Sequence, residues 1–170
     1  AAAKREVSKA VKPWADLYHS MPINRPDGGI TPDGKSYSYT PNDCSVGDVD
    51  GDGEYELILK WDPSNAHDNS HNGYTGDVIL DCYKLDGTQL WRINLGKNIR
   101  AGAHYTQFLV YDFDGDGKAE LICKTSAGSL DGKGRFVSQA ATDAEIKAVD
   151  NQADYRNKVG RIMEGPELLT

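Results

Sequence analysis

The chain reads Asp48-Val49-Asp50-Gly51-Asp52-Gly53-Glu54-Tyr55-Glu56 and repeats that pattern 64 residues later, as Asp112-Phe113-Asp114-Gly115-Asp116-Gly117-Lys118-Ala119-Glu120. Each copy places three carboxylates at alternate positions inside a glycine turn. The alternation directs them around one centre, because glycine permits the positive φ angles that a tight wrap needs. Hard oxygen ligands in a flexible loop favour Ca²⁺ over Mg²⁺, which demands octahedral geometry. Both loops are therefore predicted calcium sites.

Each loop supplies a predicted set of five ligands. In the first loop they are Asp48, Asp50, Asp52, the main-chain carbonyl of Glu54 and the side chain of Glu56. In the second loop they are Asp112, Asp114, Asp116, the main-chain carbonyl of Lys118 and the side chain of Glu120.

The loops differ from EF-hands in how they close. An EF-hand needs a bidentate acid at position twelve and a helix on each side. Position twelve is Leu59 in the first loop and Cys123 in the second, and residues 56–61 and 120–125 read as strands. The pattern therefore predicts calcium loops that staple β-hairpins, without a catalytic role of their own, and it argues against a calcium sensor.

The 64-residue spacing indicates a repeated unit. Asp86-Gly87 between two apolar runs is a strong hairpin signal. Four antiparallel strands in a unit are typical of a β-propeller blade. The predicted strands cover residues 45–48, 55–61, 77–83 and 89–94 in the first unit, and 105–111, 119–125 and 167–170 in the second. The fold class is therefore predicted as all-β, a segment of a calcium-stapled propeller.

The chain divides into a predicted junction over residues 1–38 and the first blades of the propeller over residues 39–170. The blade repeats start near residues 45 and 105, and an insertion over residues 126–165 interrupts the second unit. Thr142-Asp143-Ala144-Glu145 predicts a capping box at the start of a short helix in that insertion. A partial ring would leave strand edges unpaired. We therefore expect the chain to be a piece of a longer protein, with the remaining blades on the same polypeptide or on a separate chain.

Composition excludes several classes of function. The chain has 170 residues and a formal net charge of −7, without a dense basic run for nucleic-acid binding. No apolar stretch is long enough to predict a membrane span. The three cysteines form no C-x-x-C pair, so zinc binding is not expected. Cys82 and Cys123 are predicted to be buried in strands, and Trp61, Trp91 and Phe108 to pack in the core.

Longer stretches of the sequence resemble a known family. They are Asn42-Asp43, Ser45-Val46-Gly47-Asp48, Leu59-Lys60-Trp61-Asp62-Pro63-Ser64-Asn65, Gly73-Tyr74-Thr75-Gly76, Leu90-Trp91-Arg92-Ile93, and the runs from Leu95 to Phe108 and from Tyr111 to Gly117. Together they resemble the bacterial rhamnogalacturonan lyases of polysaccharide lyase family 11, over nearly the whole chain. The resemblance implies an N-terminal β-domain upstream of the junction, then an eight-bladed propeller that binds several Ca²⁺ ions and holds substrate in a central cleft. It also implies a bacterial protein that is secreted, periplasmic or at the cell surface.

The reaction that the resemblance implies is β-elimination at the rhamnose–galacturonate linkage of rhamnogalacturonan I, a pectic polysaccharide. A cation paired with the C6 carboxylate makes the C5 proton easier to remove, because the developing enolate charge is stabilised. The glycosidic oxygen leaves from C4, and the product carries an unsaturated galacturonyl end.

The resemblance also suggests site residues. The matching Asn and Asp line the cleft in related lyases, which makes Asn42 and Asp62 the predicted substrate contacts. Asp43 is a candidate ligand of an active-site calcium. His104 is the candidate base in this segment, although the main base is expected on later blades. The ordinary alternatives are an Asx-turn at Asn42, a cap before Pro63 for Asp62, and a packing histidine.

Three points stay open at the level of sequence. Asp68 and Asn69 lie in a polar loop where they could bind calcium, contact a sugar or be solvated. Arg100 or Lys97 could pair with a uronate or be solvated. The whole protein could also be a non-catalytic, calcium-stabilised propeller that binds glycans or other proteins.

Overall fold

A computed structural model describes residues 15–102 and 104–170. Nearly all of its regular structure is antiparallel strand, as the sequence predicts. The strands are β1 (Gly29–Ile30), β2 (Ser36–Tyr37), β3 (Tyr39–Gly47), β4 (Glu56–Pro63), β5 (Ile79–Tyr83), β6 (Gln89–Asn94), β7 (Phe108–Tyr111), β8 (Glu120–Thr125) and β9 (Leu168–Leu169). A 3-10 helix covers Val137–Ala140, and helix α1 covers Ala144–Lys147. No helix in these ranges is long and apolar enough to cross a membrane.

Two antiparallel sheets carry the repeat. The first has the order β3-β4-β5-β6, which is the predicted four-stranded unit, and the second has the order β7-β8-β9. Each acidic loop joins the first two strands of its sheet. The second unit begins at Phe108 and not at residue 105, because the residues before Phe108 run through a turn and do not pair with β8. The predicted third strand of that unit is confirmed, since Thr125 pairs with Leu168.

One hydrophobic cluster joins the two sheets. Leu80 from β5 and Cys123 from β8 are buried in it, and Trp91 and Phe108 pack against it from their strands. The predicted burial of Cys82 and Cys123 is confirmed. Burial raises the pKa of the Cys82 thiol to about 12 and that of Cys123 to about 11, so both stay protonated near neutral pH.

A second cluster covers the other face of the first sheet. It contains Tyr39, Leu59, Trp61, Ile79 and Tyr83, all buried. Met21, Ile23 and Tyr37 pack against it from the region before β3. The Tyr83 hydroxyl also forms hydrogen bonds with the main chain of Asn24, accepting from its amide and donating to its carbonyl. The described part of the predicted junction is therefore packed on the first sheet and contains the β1–β2 hairpin, while the domain boundary itself stays a prediction.

Residues 126–167 separate β8 from β9. The cap of α1 is Asp143, whose side chain accepts from the amides of Glu145 and Ile146 at 2.8 and 3.2 Å. The predicted capping box started one residue early, at Thr142, because the Asp143 carboxylate already accepts from the first amides of the helix. Later in this segment the carbonyl of Val159 accepts from the amide of Gly73 at 2.8 Å. The segment thus lies against the loop that follows β4.

Candidate functional site

The first acidic loop, residues 48–56, is organised by its own amides. Asp48 accepts from three of them, with Oδ1 at 2.7 Å from Gly51 N and Oδ2 at 2.8 Å from Gly53 N. Glu56 Oε2 accepts from Val49 N at 2.8 Å, which ties the end of the loop to its start. Gly51 and Gly53 have φ angles of 79° and 87°, a region that glycine enters at low cost.

The second loop, residues 112–120, has the same hydrogen bonds at the equivalent positions. Asp112 accepts from Gly115 N at 2.7 Å and from Gly117 N at 3.0 Å. Glu120 Oε2 accepts from Phe113 N at 2.9 Å. The predicted repeat of the loop is therefore a repeat of structure as well as of sequence.

Each loop brings three of its predicted side-chain ligands together. Carboxylate oxygens of Asp48, Asp50 and Glu56 lie within 4.8 Å of one another, and the same holds for Asp112, Asp114 and Glu120. Asp52 and Asp116 fall outside these two clusters. The carboxylate of each accepts a hydrogen bond from the main-chain amide two residues later, at 2.8 Å. An all-oxygen set of three carboxylates fits a hard divalent cation. The roles of Asp52, Asp116 and the carbonyls of Glu54 and Lys118 stay predictions.

Lys84 places a positive charge in the first loop. Its Nζ lies 2.6 Å from Asp50 Oδ2, 2.9 Å from Asp52 Oδ2 and 3.7 Å from Glu56 Oε1. Its hydrogen bonds to the carboxylates of Asp50 and Asp52 raise the pKa of the Lys84 ammonium. The hydrogen bond from Lys84 is also the largest cause of the lowered pKa of Asp52. Among the described residues, no lysine or arginine pairs with a carboxylate of the second loop.

Replacing Lys84 by methionine is expected to tighten the binding of a divalent cation at the first loop severalfold. The ammonium competes for the carboxylates that a cation would use, and methionine removes this competitor while keeping the length of the side chain. Calorimetric titration with Ca²⁺ in an Asp114→Asn background, which weakens the second loop, measures the effect. Lys118→Met is the matched control, because Lys118 forms no ion pair in the described structure. Unchanged affinity in Lys84→Met would contradict the competition.

The two loops are neighbours in space. Ala119 N in the second loop donates to the carbonyl of Asp48 in the first, at 2.6 Å. A Cβ at Gly47 would lie 2.7 Å from both Ala119 Cβ and Val110 Cγ1, so only glycine allows this approach. The acidic clusters therefore share one end of the paired sheets, where bound cations would relieve the repulsion among their carboxylates.

A β-bulge lies toward the other end of the β3–β4 hairpin. Pro41 pairs with Trp61 and Cys44 pairs with Leu59, so Asn42 and Asp43 together oppose one residue of β4, Lys60. In a regular strand, two successive side chains would point to opposite faces. Bulges are common beside active sites, where they redirect a side chain.

The bulge brings the two predicted substrate contacts together. The Asn42 side chain lies beside the half-buried Asp62 carboxyl, close enough to affect its pKa. Burial raises the pKa of Asp62, and the nearby Lys60 ammonium and the Asn42 hydrogen bond offset part of that rise. Asp43, the candidate ligand of an active-site calcium, has its Oδ2 2.6 Å from Lys60 Nζ. Sequence reasoning missed Lys60, although a lysine two residues before Asp62 in an apolar strand was a usable signal.

Arg100 has a different environment from either one predicted for it. It is buried, and its guanidinium donates to the main-chain carbonyls of His67, Asp68, His71, Gly73 and Gly160. Burial is also the largest cause of its lowered pKa. Arg100 is therefore neither solvated nor free for a uronate, and it fixes the loop after β4 instead. Lys97 Nζ donates to the carbonyl of Gln152 at 2.9 Å.

His104, the candidate base, lies at the protein surface. Its side chain is 80% exposed, and Nδ1 is 2.9 Å from Asp68 Oδ2. A carboxylate at Nδ1 favours the tautomer that leaves Nε2 unprotonated and able to accept a proton. Asp68 thus contacts His104, one use that the sequence had not assigned to it. The main-chain amide of Asn69 donates a hydrogen bond to the Tyr105 hydroxyl at 3.0 Å.

Comparison with known proteins links these features to one family. Residues 18–170 match a protein-family model described as "Rhamnogalacturonan lyase family 11, C-terminal domain". The chain is 61% identical over 167 residues to rhamnogalacturonan endolyase YesW of Bacillus subtilis (strain 168), covering 98% of the chain and 25% of that protein. It is 59% identical over 167 residues to rhamnogalacturonan exolyase YesX of the same organism, covering 98% of the chain and 26% of that protein.

The fold agrees with a solved structure of the family. The structure of the Bacillus licheniformis rhamnogalacturonan lyase PL11 superimposes with a TM-score of 0.83 and 64% identity, over 91% of the chain and 25% of that structure. The chain therefore spans about a quarter of the length of the relatives that it matches. The chain belongs to rhamnogalacturonan lyase family 11, within the part that the family describes as its C-terminal domain.

Proposed function

We propose that the full-length protein is a lyase that cleaves the rhamnose–galacturonate linkage of rhamnogalacturonan I by calcium-assisted β-elimination. The observation that carries the proposal is the group formed by Asn42, Asp43, Lys60 and Asp62, which the β3 bulge gathers at one end of the first sheet. This group occurs in a chain that is 61% identical to a rhamnogalacturonan endolyase.

The proposed reaction breaks two bonds at a galacturonate residue. A base removes the C5 proton, a C4–C5 double bond forms, and the O4 glycosidic oxygen leaves with the electron pair of the C4–O bond. Calcium bound beside the substrate would pair with the C6 carboxylate and make the C5 proton more acidic. Asp43 is the candidate in this chain for contacting such an ion, since its side chain is 63% exposed beyond its contact with Lys60.

The side chains of this chain have separate proposed roles. Asn42 and Asp62 bind sugar hydroxyls, with the amide as donor or acceptor and the carboxylate as acceptor. Precise placement of these contacts orients C5 toward the base. His104 is the candidate base within this segment, with Asp68 holding Nδ1 so that Nε2 can take the proton, whereas the main base is expected on later blades.

The proposed architecture is an eight-bladed propeller of which this chain forms the first blades. Residues 1–38 join an upstream β-domain, residues 39–170 carry the blades, and the remaining blades come from the rest of the protein. The loops at residues 48–56 and 112–120 bind calcium and staple their hairpins. Because the substrate is a cell-wall polymer, the protein acts outside the cytoplasm, in the medium, the periplasm or at the cell surface.

The test is the formation of unsaturated product by the full-length protein. Rhamnogalacturonan I is incubated with the protein in calcium and, separately, with a chelator, while ultraviolet absorbance is recorded. The expected result is a rise that depends on calcium, because each elimination creates a conjugated uronide. No rise in calcium would contradict the lyase. Saturable binding of the polymer without product would instead favour a non-catalytic glycan-binding propeller, whose calcium loops need no chemical role.

A further inference from the structure

Lys60 is a buried lysine at the proposed substrate-contact site. Its side chain is 3% exposed, and its ammonium lies 2.6 Å from the carboxylate of the exposed Asp43. Burying an ammonium is costly unless a partner of opposite charge compensates it. The strand keeps this charge inside a run of apolar residues, which calls for an explanation beyond packing.

The position of Lys60 in the ladder links it to the bulge. It is the single residue of β4 that opposes both Asn42 and Asp43. The ion pair holds the second bulged residue, and the first reaches Asp62. Lys60 and Asp62 lie on one face of β4, because alternate residues of a strand share a face.

The second sheet provides an internal comparison. Lys124 occupies the equivalent place in β8, since Glu56-Leu57-Ile58-Leu59-Lys60 matches Glu120-Leu121-Ile122-Cys123-Lys124. The Lys124 side chain is 42% exposed and pairs with the exposed Glu167. The positions equivalent to Asn42 and Asp43 hold Thr106 and Gln107. Burial of the lysine is therefore specific to the unit that carries the bulge, and it is not a requirement of the repeat.

Charge gives a second reason for a lysine at this place. Asp43 and Asp62 are two carboxylates beside the proposed path of a polymer that carries a carboxylate on each galacturonate. Like charges at close range oppose binding. The ammonium of Lys60 offsets the negative charge of Asp43, and its side chain stays buried while it does so.

We infer that Lys60 is a positioning residue for the proposed reaction: by holding Asp43, it fixes the bulge that places Asn42 against Asp62, and its charge permits an anionic sugar to approach. This inference rests on the proposed function. Lys60 itself need not touch the substrate, since its side chain is enclosed.

The experiment compares four variants of the full-length protein. They are Lys60→Met, Asp43→Asn, the double variant Lys60→Met/Asp43→Asn, and Lys124→Met as the matched control. Each is assayed for kcat and KM on rhamnogalacturonan I, and for Tm in calcium. The position of the Asn42 side chain is read from a crystal structure of the double variant.

Stability and turnover are expected to separate in the double variant. Each single variant leaves one charge unpaired, and Lys60→Met and Asp43→Asn should both lower Tm. The double variant should recover Tm, because replacing both partners of an ion pair is close to neutral. Its kcat should stay about tenfold to a hundredfold below that of Asp43→Asn, which shares the loss of the candidate calcium contact, as expected for a misplaced substrate contact. Its Asn42 side chain should have moved away from Asp62, and Lys124→Met should retain wild-type kcat.

Two outcomes would overturn the inference. A double variant with the same kcat as Asp43→Asn would mean that Lys60 only stabilises the fold. Asn42 still in contact with Asp62 in the crystal structure would mean that the bulge does not depend on Lys60. An unaltered protein that forms no unsaturated product would contradict the proposed function instead, and the crystal structure would then decide the inference on positioning by itself.

Discussion

Replacing Asp62 by asparagine in the full-length protein is expected to lower kcat/KM on rhamnogalacturonan I by about a hundredfold or more. Asparagine keeps the shape of the side chain and its place beside Asn42. It replaces one of the two carboxylate oxygens, which would accept hydrogen bonds from sugar hydroxyls, by an amide nitrogen that only donates. Tm should change little, because burial already disfavours the charged carboxylate and raises its pKa. Steady-state rates of product formation and thermal melting of the same preparation measure both quantities.

Asp77 provides the matched control for this variant. It is also half-buried, burial also raises its pKa, and its carboxyl also has an asparagine partner, Asn94. Asp77→Asn should therefore have the same small effect on Tm and leave kcat/KM unchanged. If Asp62→Asn retained activity, or if it lowered Tm far more than Asp77→Asn does, Asp62 would be a structural residue and not a substrate contact.

The features that the sequence predicted correctly are local ones. The acidic loops were predictable because their hydrogen bonds link residues at most seven apart, as from Val49 to Glu56. The strand that follows each loop was also predictable, since Glu56 and Glu120 mark where apolar alternation begins. The choice of Asn42 and Asp62 as substrate contacts came from their positions on either side of the first loop and from the family resemblance, and the structure places the two on neighbouring strands.

The features that the sequence could not predict depend on distant contacts. Arg100 looked like a solvated loop residue, yet it donates to carbonyls 27 to 60 residues away. The region before β3 was interpreted as a linker or junction because it has no blade pattern and is rich in proline and glycine. Met21 and Ile23 nevertheless pack on a cluster built from β3, β4 and β5. Lys60 was overlooked because a bulge is invisible in one strand alone; it appears only when the register with the partner strand is known.

Removing calcium is expected to destabilise the protein strongly. A ligand that binds only the folded state stabilises it by about 2.7 kcal/mol per site at one hundred times its Kd. Chelation should therefore lower Tm by several degrees for each loop that binds. Magnesium at the same concentration should restore little, because it fits a flexible set of protein oxygens poorly. Equal melting in calcium and in chelator would contradict the assignment of the loops as calcium sites.

The two loops should not depend on calcium equally. Lys84 places an ammonium among the carboxylates of the first loop, whereas the second loop has no such partner within the described ranges. Without calcium, the repulsion among Asp112, Asp114 and Glu120 is therefore uncompensated. Asp112→Asn should lose most of the calcium-dependent gain in Tm and melt slightly higher than the unaltered protein in chelator, because one of the repelling charges is gone. Asp48→Asn should lose less of the gain and should not melt higher in chelator. Melting curves of both variants with and without calcium test this, and equal shifts would show that Lys84 does not substitute for the ion.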